Sequence, residues 1–505
     1  MEAYALGLDQ NFIRSKLEFE KMLGHLGRPE SQSLDLSNTE GLIESMGREV
    51  LRCVLEEQIA LRGPGIVGVA VKGSDSVLRA HHRLRAITKA TIFGEISIDR
   101  LIYSAPGHTS LCPKEAMLNL PTQKYSHKLE AQLAFEVARN SFDDSKDSVS
   151  SRTGVKIQKR QAEEIAQRVA QDFTAFYGHR STAILQKSTK NLDHLILTTD
   201  GKGIVVRQEE LRDATRKRAK KAARKLKKRL SKGEKKNAKR MAQVASVYSI
   251  DSNPRTPEQV AAGEKVERPP LPQQKRVWAS VASDANVVIK EMFDEAERRD
   301  PQRTRSWAIL IDGQEHQYDL IQAELGARKI NASIVLDVIH VIEYLWKAAR
   351  DFTTETDPCA EDWVQHYLLM ILNGNAQQAA AGMRRSATRQ GLKSRENIDV
   401  CATYLHKNSA LMRYDEFLVM GLPIATGVIE GACRHLVKDR MDVTGARWSL
   451  DGAEAVLKLR SIYASDDWEE YCTFHEAREY ERNHKIHYAN PERLVQPKFV
   501  LAQRQ

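Results

Sequence analysis

The 505-residue chain lacks any run near the roughly 18 apolar residues that a membrane span requires, so no transmembrane segment is expected. Its start, Met1-Glu2-Ala3-Tyr4, is acidic where a secretory leader would be basic, and the expected address is cytoplasmic. Cysteine is scarce. Cys53, Cys112, Cys359, Cys401, Cys433 and Cys472 are scattered without a Cys-x-x-Cys pair, which leaves neither a disulfide framework nor a zinc knuckle to be read. His108 and Cys112 offer two ligands, too few for a structural zinc site, and an ordinary hairpin flank is the alternative. No internal repeat is apparent. What remains is a folded, polar composition: 41% hydrophobic and 29% charged residues with a mean hydropathy of -0.49. The length implies roughly two to four domains.

Charge is concentrated. Sixteen basic residues and two acids lie between Arg212 and Arg240, so this stretch carries +14 of a total of +10 and leaves −4 for the rest. Ala219, Ala222, Ala223, Leu226 and Leu230 recur through it at helical spacing, ahead of a turn at Ser231-Lys232-Gly233. A solvated face explains most charge runs, but repulsion of one sign over this length is relieved best by a polyanion. Lys227, Lys228, Arg229, Lys235 and Lys236 are the expected phosphate contacts, which hold DNA without reading its sequence.

The pattern of elements is mixed. Gly41 to Leu61 reads as a helix lined on one side by Leu42, Ile43, Met46, Val50, Val54, Leu55 and Ile59. Thr91 to Tyr103 alternates as strands do. From Lys128 to Tyr177 three helices follow, with a break at Thr153-Gly154. They are compatible with a helix-turn-helix whose last helix begins at Lys159, Arg160 and Gln161, or equally with a plain three-helix connector. His194 to Thr199 then reads as a strand, Gly203 to Arg207 as its return and Val244 to Ile250 as a third. A proline-rich loop follows, then a helix from Ser283 to Arg298 and strands at Trp307 to Ile311 and Ala332 to Val338. Three strands, a helix and two strands is the order of an RNase H-like fold. Asp351 to Met420 reads as helix only, an insertion before Ile424 to Arg440.

Two apolar runs end in Asp-Gly, at Asp200 and Asp312, and a lone acid, Glu430, sits in a basic helical stretch. One Asp-Gly more often marks a turn than a site. Three carboxylates from distant segments suit two divalent cations, because Mg²⁺ takes a few hard oxygen ligands beside water and phosphate. In that scheme Asp200 bridges two Mg²⁺ ions, replaceable by Mn²⁺, with Asp312 on one and Glu430 on the other. Glu430 is also four positions before Arg434, as a surface ion pair would be. Asp337 and His340 lie three apart beside the second acid, as a supporting or strand-contacting pair or as a structural one. Arg447 and Trp448 suit phosphate contact and base stacking, though a core tryptophan is as reasonable.

Several segments resemble the ISKra-type family of bacterial insertion-sequence transposases. They are Asp200-Gly201-Lys202-Gly203, the basic stretch Leu226 to Asn237, Tyr248 with Arg255-Thr256-Pro257, Asp337-Val338-Ile339-His340 with Trp346-Lys347-Ala348-Ala349, Ile429 through Met441, and Thr444 through Ser449. The similarity runs from about Phe93 to Leu459. It implies a DDE triad of Asp200, Asp312 and Glu430; beside it, Asp337, His340, Arg434, Arg440 and Trp448 are the expected supporting or DNA-strand contacts. It implies double-stranded DNA, as element ends and as target, and a homo-oligomer on that DNA. Related transposases often carry a cysteine-rich N-terminal region, from which this chain departs. The expected fold is mixed α/β. A helical region at 1–88 and a hairpin with helix-turn-helix-like DNA-binding helices at 89–180 precede an RNase H-like core at 185–350 and 424–465. The core carries a basic insertion at 207–243 and a helical one at 351–423, and a tail follows at 466–505. A non-catalytic DNA-binding protein and a cellular nuclease of the same fold are the competing expectations.

Overall fold

A computed structural model describes residues 11–180, 192–221, 237–264, 269–353, 357–443 and 446–494. The chain forms two units, Met1–Tyr177 with Asp467–Gln505, and Gly178–Asp466.

In the first unit, helices Ile13–Leu26 and Leu36–Ala60 pack together. Asp35 caps the second by accepting from the Asn38 amide, which satisfies one of the free donors at the helix start. A small ladder, β1 (Val71–Lys72) with β2 (Leu78–Arg79), precedes a long hairpin of β3 (His81–Thr91) and β4 (Gly94–Ser104). Its two-residue turn relies on Gly94 at φ +116. Helices His127–Arg139, Phe142–Thr153 and Lys159–Ala170 follow where the periodicity places them, with Gly154 at φ +72 ending the second. The expected C-terminal tail is instead largely the Trp468–Asn483 helix, whose Tyr471 and Tyr480 are buried in this unit. Its mixture of acids, bases and aromatics shows no clean amphipathic period, which is why it read as a tail.

The second unit is built on a five-stranded mixed sheet in the order β7-β6-β5-β8-β9. The strands are β5 (His194–Val205), β6 (Lys239–Ile250), β7 (Gln273–Ser280), β8 (Ser306–Ile311) and β9 (Ser333–Leu336). β6 is antiparallel to both β5 and β7, while β8 runs parallel to β5, and β9 to β8. Two boundaries differ from the sequence reading. β5 continues through Asp200-Gly201-Lys202-Gly203, with no return strand, because β6 pairs with all twelve of its residues. The Lys239 side chain of β6 lies over Gly203, 2.8 Å from where a Cβ would stand, as expected of a glycine within a paired strand. The third strand is β7, within a stretch read as loop.

The Ala285–Arg299 helix packs on β5 and β6, and Leu450–Ala464 packs along β7. This second helix covers a sheet edge: Ser461 Oγ accepts from the Ala279 amide and Glu454 from the Val281 and Ala282 amides. Between β9 and residue 427 lie helices Val338–Ala349, Cys359–Leu372, Ala376–Arg389, Glu396–Lys407 and Tyr414–Val419. The expectation of helix alone across this stretch agrees with the described residues. None of the described helices is long and apolar enough to cross a membrane.

Candidate active site

Strand register brings three carboxylates level. Thr198 of β5 is opposite Leu310 of β8, and Ile311 of β8 is opposite Leu336 of β9. Carrying each register on by one or two residues sets Asp312 and Asp337, directly after the C-terminal ends of β8 and β9, in a row with Asp200 in the middle of β5, where its parallel pairing with β8 stops. That edge is where open α/β sheets present their ligand sites. Gly313, at φ +87, turns the chain away directly after Asp312; a Cβ there would come within 2.9 Å of Leu336 Cδ1. Gln314 N donates to Asp312 Oδ1 at 2.9 Å, and the Tyr404 hydroxyl donates to the Asp312 carbonyl at 3.3 Å. Tyr404 stacks on Tyr344 with centroids 4.1 Å apart, so the Glu396–Lys407 helix braces the Val338–Ala349 helix beside this edge. The Tyr404 hydroxyl is pushed well above the ordinary tyrosine range by burial, which keeps it a neutral donor.

Asp337 is fully buried and caps the Val338–Ala349 helix. Its Oδ1 accepts from Ile339 N at 3.0 Å and Thr426 N at 3.3 Å; its Oδ2 faces His340 Nδ1 at 3.1 Å and the Thr426 hydroxyl. Burial alone would raise this carboxyl, but bonds from His340, Thr426 and the Ile339 amide outweigh it and hold the group below the usual carboxylate range. The His340 imidazole is raised in turn by its bond to Asp337, against the effect of burial. Thr426 immediately precedes the Gly427–Ala432 helix that bears Glu430. One buried carboxylate therefore ties the helix after β9 to the helix carrying the third acid.

Glu430 is exposed, and ligand atoms of Asp337, His340 and Glu430 lie within 4.8 Å of one another. The expected triad of Asp200, Asp312 and Glu430 does not form so tight a group among the described residues. Three carboxylates without a cation between them repel, and two metals 3.5–4 Å apart need their ligands spread. The acids are linked through neighbours. Cys433, one turn after Glu430, donates its thiol to Asp200 Oδ2 at 3.1 Å, and burial with the Asp200 charge drives that thiol far above its usual range. Glu430 acts on the same thiol, and Asp312 acts on His340. From Cys433 to Lys438 the helix widens into a π turn, a local expansion that frequently marks functional sites.

Other expected site residues sort by exposure. Arg434 is exposed and lies 3.8 Å from Asp439, so the surface pair with Glu430 is not the one formed. Arg440 and Trp448 are buried, with the guanidinium 4.9 Å from the indole centroid and Trp448 Nε1 donating to the Met441 carbonyl at 3.2 Å. Trp448 is a core tryptophan bridged to Val206, directly after β5, and both it and Arg440 are largely closed to solvent. Burial against the sheet, which no local pattern announces, decided between the two readings. His108 faces Asp75 at 3.2 Å and Cys112 accepts from Arg100 at 3.0 Å, so these two do not share a ligand. Lys159 and Arg160 open their helix on the surface, paired with Asp143 at 2.6 Å and Glu164 at 3.0 Å. Such exposed pairs are worth about 0–1 kcal/mol and exchange readily for phosphate. Lys227, Lys228, Arg229, Lys235 and Lys236 lie outside the described residues.

Sequence reasoning passed over Thr426, Tyr404 and Cys433. Only Cys433 carried a signal, its i+3 spacing from Glu430. No protein-family model matches the chain, and no curated protein matches it either.

Proposed function

We propose that this chain is a DDE transposase of a bacterial insertion sequence, which binds element ends and carries out metal-dependent DNA strand cleavage and strand transfer. The observation that carries the reading is the row of Asp200 and Asp312, level on neighbouring parallel strands where β8 ends, with Glu430 brought toward it by Cys433 on one side and Thr426 on the other. The strand order with β6 alone reversed supports an RNase H-like core, in which the first acid lies on the central strand and the second follows its parallel neighbour.

The donors fit hard divalent cations. All three acids reach solvent to some degree, and among the described residues the side-chain donor on Asp200 Oδ2 is a thiol, a weak partner that a cation displaces at little cost. Asp200, Asp312 and Glu430 would hold two Mg²⁺ ions, with Mn²⁺ as a substitute, and His340 stands beside Glu430. Ions bound there activate water or a 3′-hydroxyl and stabilise the leaving oxygen of a phosphodiester. The protein's own part is to fix the carboxylates: Asp337 locks His340 and the start of the Glu430 helix, and Tyr404 braces the loop after β8. No side-chain nucleophile is required.

The test is cleavage of duplexes made from the DNA flanking the coding region. Asp200→Asn keeps the shape and removes the charge, so strand cleavage should fall by roughly 10³-fold, a loss of several kcal/mol of ligand charge, while duplex binding persists. Cleavage by this variant at the wild-type rate would overturn the assignment.

A further inference from the structure

The far end of the same sheet holds a cavity of about 420 Å³ whose lining includes none of Asp200, Asp312, Asp337 and Glu430. It lies where β8 and β9 begin, so the length of β8, roughly 20 Å, separates it from the row of acids. Arg303, Arg305 and Ser306 come to it from the approach to β8, and Lys329, Asn331 and Ser333 from the approach to β9. Arg303 ties the two approaches together by donating to the Lys329 carbonyl at 3.0 Å. Trp307 and Ile330, both buried, and the exposed Met420 add apolar wall. Arg303 and Lys329 hold φ of +54 and +52, the left-handed region that glycine enters freely, so the fold sets two of the lining cations on backbone where a long side chain is disfavoured.

The lining carries three cations and, among the described residues, no carboxylate. The acids around it are engaged elsewhere. Asp300 is buried and accepts from the amides of Thr304 and Arg305 and from Trp307 Nε1. Asp193, level with Arg305 when the β5–β8 register is carried back one residue, accepts from the Ser252 amide at 3.0 Å and forms no ion pair among the described residues. Arg303 meets Glu297 at 2.8 Å in an exposed pair of little worth. Arg305 gives one side-chain bond, to Ser249 Oγ at 2.9 Å. The side chains of Lys329, Ser306, Asn331 and Ser333 have no protein partner among the described residues.

We propose that this cavity binds a phosphomonoester of nucleotide size, carried by a free nucleotide or by the 5′ end of a DNA strand. Two unpaired cations match a phosphomonoester, at about −1.5 to −2 near pH 7, whereas each backbone phosphodiester brings a single charge. The Arg305 guanidinium offers a planar fork for two phosphate oxygens, Lys329 a point charge, and the hydroxyls and the amide the remaining donors. The volume falls within the roughly 300–1,000 Å³ of small-molecule sites, so it admits a ligand with an apolar body beside Met420 and Ile330 as well as its phosphate. The assignment does not depend on the transposase reading.

Calorimetric titration of the full chain with AMP, in chelator so that no metal bridges the phosphate to the acids, tests it. About one AMP per chain should bind, and adenosine roughly tenfold or more weakly. Lys329→Asn and Arg305→Gln should each weaken AMP roughly tenfold. Asparagine tolerates the left-handed backbone and the Lys329 side chain has no bond to lose, so that variant keeps its fold if Arg305→Gln does not. A short single strand with a 5′-phosphate, compared with the same strand ending in a 5′-hydroxyl, identifies the source. A preference for the phosphorylated strand that Lys329→Asn abolishes assigns the cavity to strand ends; no preference, with AMP bound, assigns it to free nucleotides. Failure of both AMP and the phosphorylated strand to bind, adenosine binding as tightly as AMP, or AMP binding unchanged in both variants would overturn the proposal. Equal weakening of the two strands by Lys329→Asn without AMP binding would give the cavity to the phosphodiester backbone and overturn it as well.

Discussion

Two groups in this molecule have the same chemistry and opposite circumstances. Asp172, His475 and Glu479 lie in the first unit, Asp337, His340 and Glu430 in the second, and each brings its ligand atoms within 4.8 Å. In the first group every member is buried and already answered. His475 meets Asp172 at 2.6 Å, Arg482 reaches Asp172 and lies 2.8 Å from Glu479, and Gln171 and Asn483 donate to Glu479 at 2.9 and 2.7 Å. A resident guanidinium supplies the positive charge that a cation would, so this group fastens the C-terminal helix to the helices before it. In the second group only Asp337 is saturated, while Glu430 faces solvent and Asp312 and Asp200 stand nearby. Residue type alone does not make a site. Which acids are left without an internal cation decides between a lock and a binding edge.

The comparison breaks most sharply at the lock. Asp172→Ala removes the buried carboxylate that His475 and Arg482 share and should cost about 3 kcal/mol, measured by urea unfolding, with DNA cleavage retained in the fraction that stays folded. Cleavage lost without unfolding would show that the lock is itself functional. At the binding edge, Asp337→Asn should slow cleavage roughly 10- to 100-fold by loosening His340 and the Glu430 helix, while Asp200 keeps its place. An unchanged rate would reduce Asp337 to an ordinary helix cap.

The first unit should lose stability in acid through one buried imidazole. Burial pushes His127, whose ring nitrogens are both enclosed, down to about 3 from the ordinary 6.5, with the nearby His475 and His484 adding to the effect. The folded ring refuses a proton that the unfolded chain accepts, so stability is full above pH 6.5 and drains as pH falls toward 3. The loss should reach roughly 2 kcal/mol at pH 5. Urea melts of wild type and His127→Gln from pH 7 to pH 5 check it, since the variant should lose less stability over that range; parallel curves would contradict it. The smallest effect concerns the basic segment: exchanging Lys227, Lys228 and Arg229 for Gln should weaken specific and random duplexes alike and flatten the salt dependence of binding. An unchanged slope would return these residues to a solvated face.

How much of this was legible follows from where the information lies. Asp312 was readable because Trp307 to Ile311 is a continuous apolar run and Gly313 supplies the positive φ that must follow it. Asp200 sits on a misread element: Gly201 and Gly203 look like a turn locally, and only pairing with β6, about forty residues away, shows them to be strand. β7 was missed because Arg276 interrupts its apolar pattern. That arginine is buried because Glu295 of a later helix meets it at 2.6 Å, a contact no window can see. The link from Asp337 to Thr426 spans 89 positions, and Trp448 was undecidable until the sheet end covered it.

The central claim is that Asp200, Asp312 and Glu430 jointly hold two divalent ions, and Mn²⁺ titration followed by electron paramagnetic resonance tests it without needing the DNA substrate. About two bound ions per chain are expected. In Asp200→Asn both should weaken together, because that carboxylate is shared, whereas Glu430→Gln should weaken one. Asp172→Ala, whose group already holds an arginine, should change neither. Absence of bound Mn²⁺ in the wild-type chain, or binding that survives Asp200→Asn intact, would contradict the account.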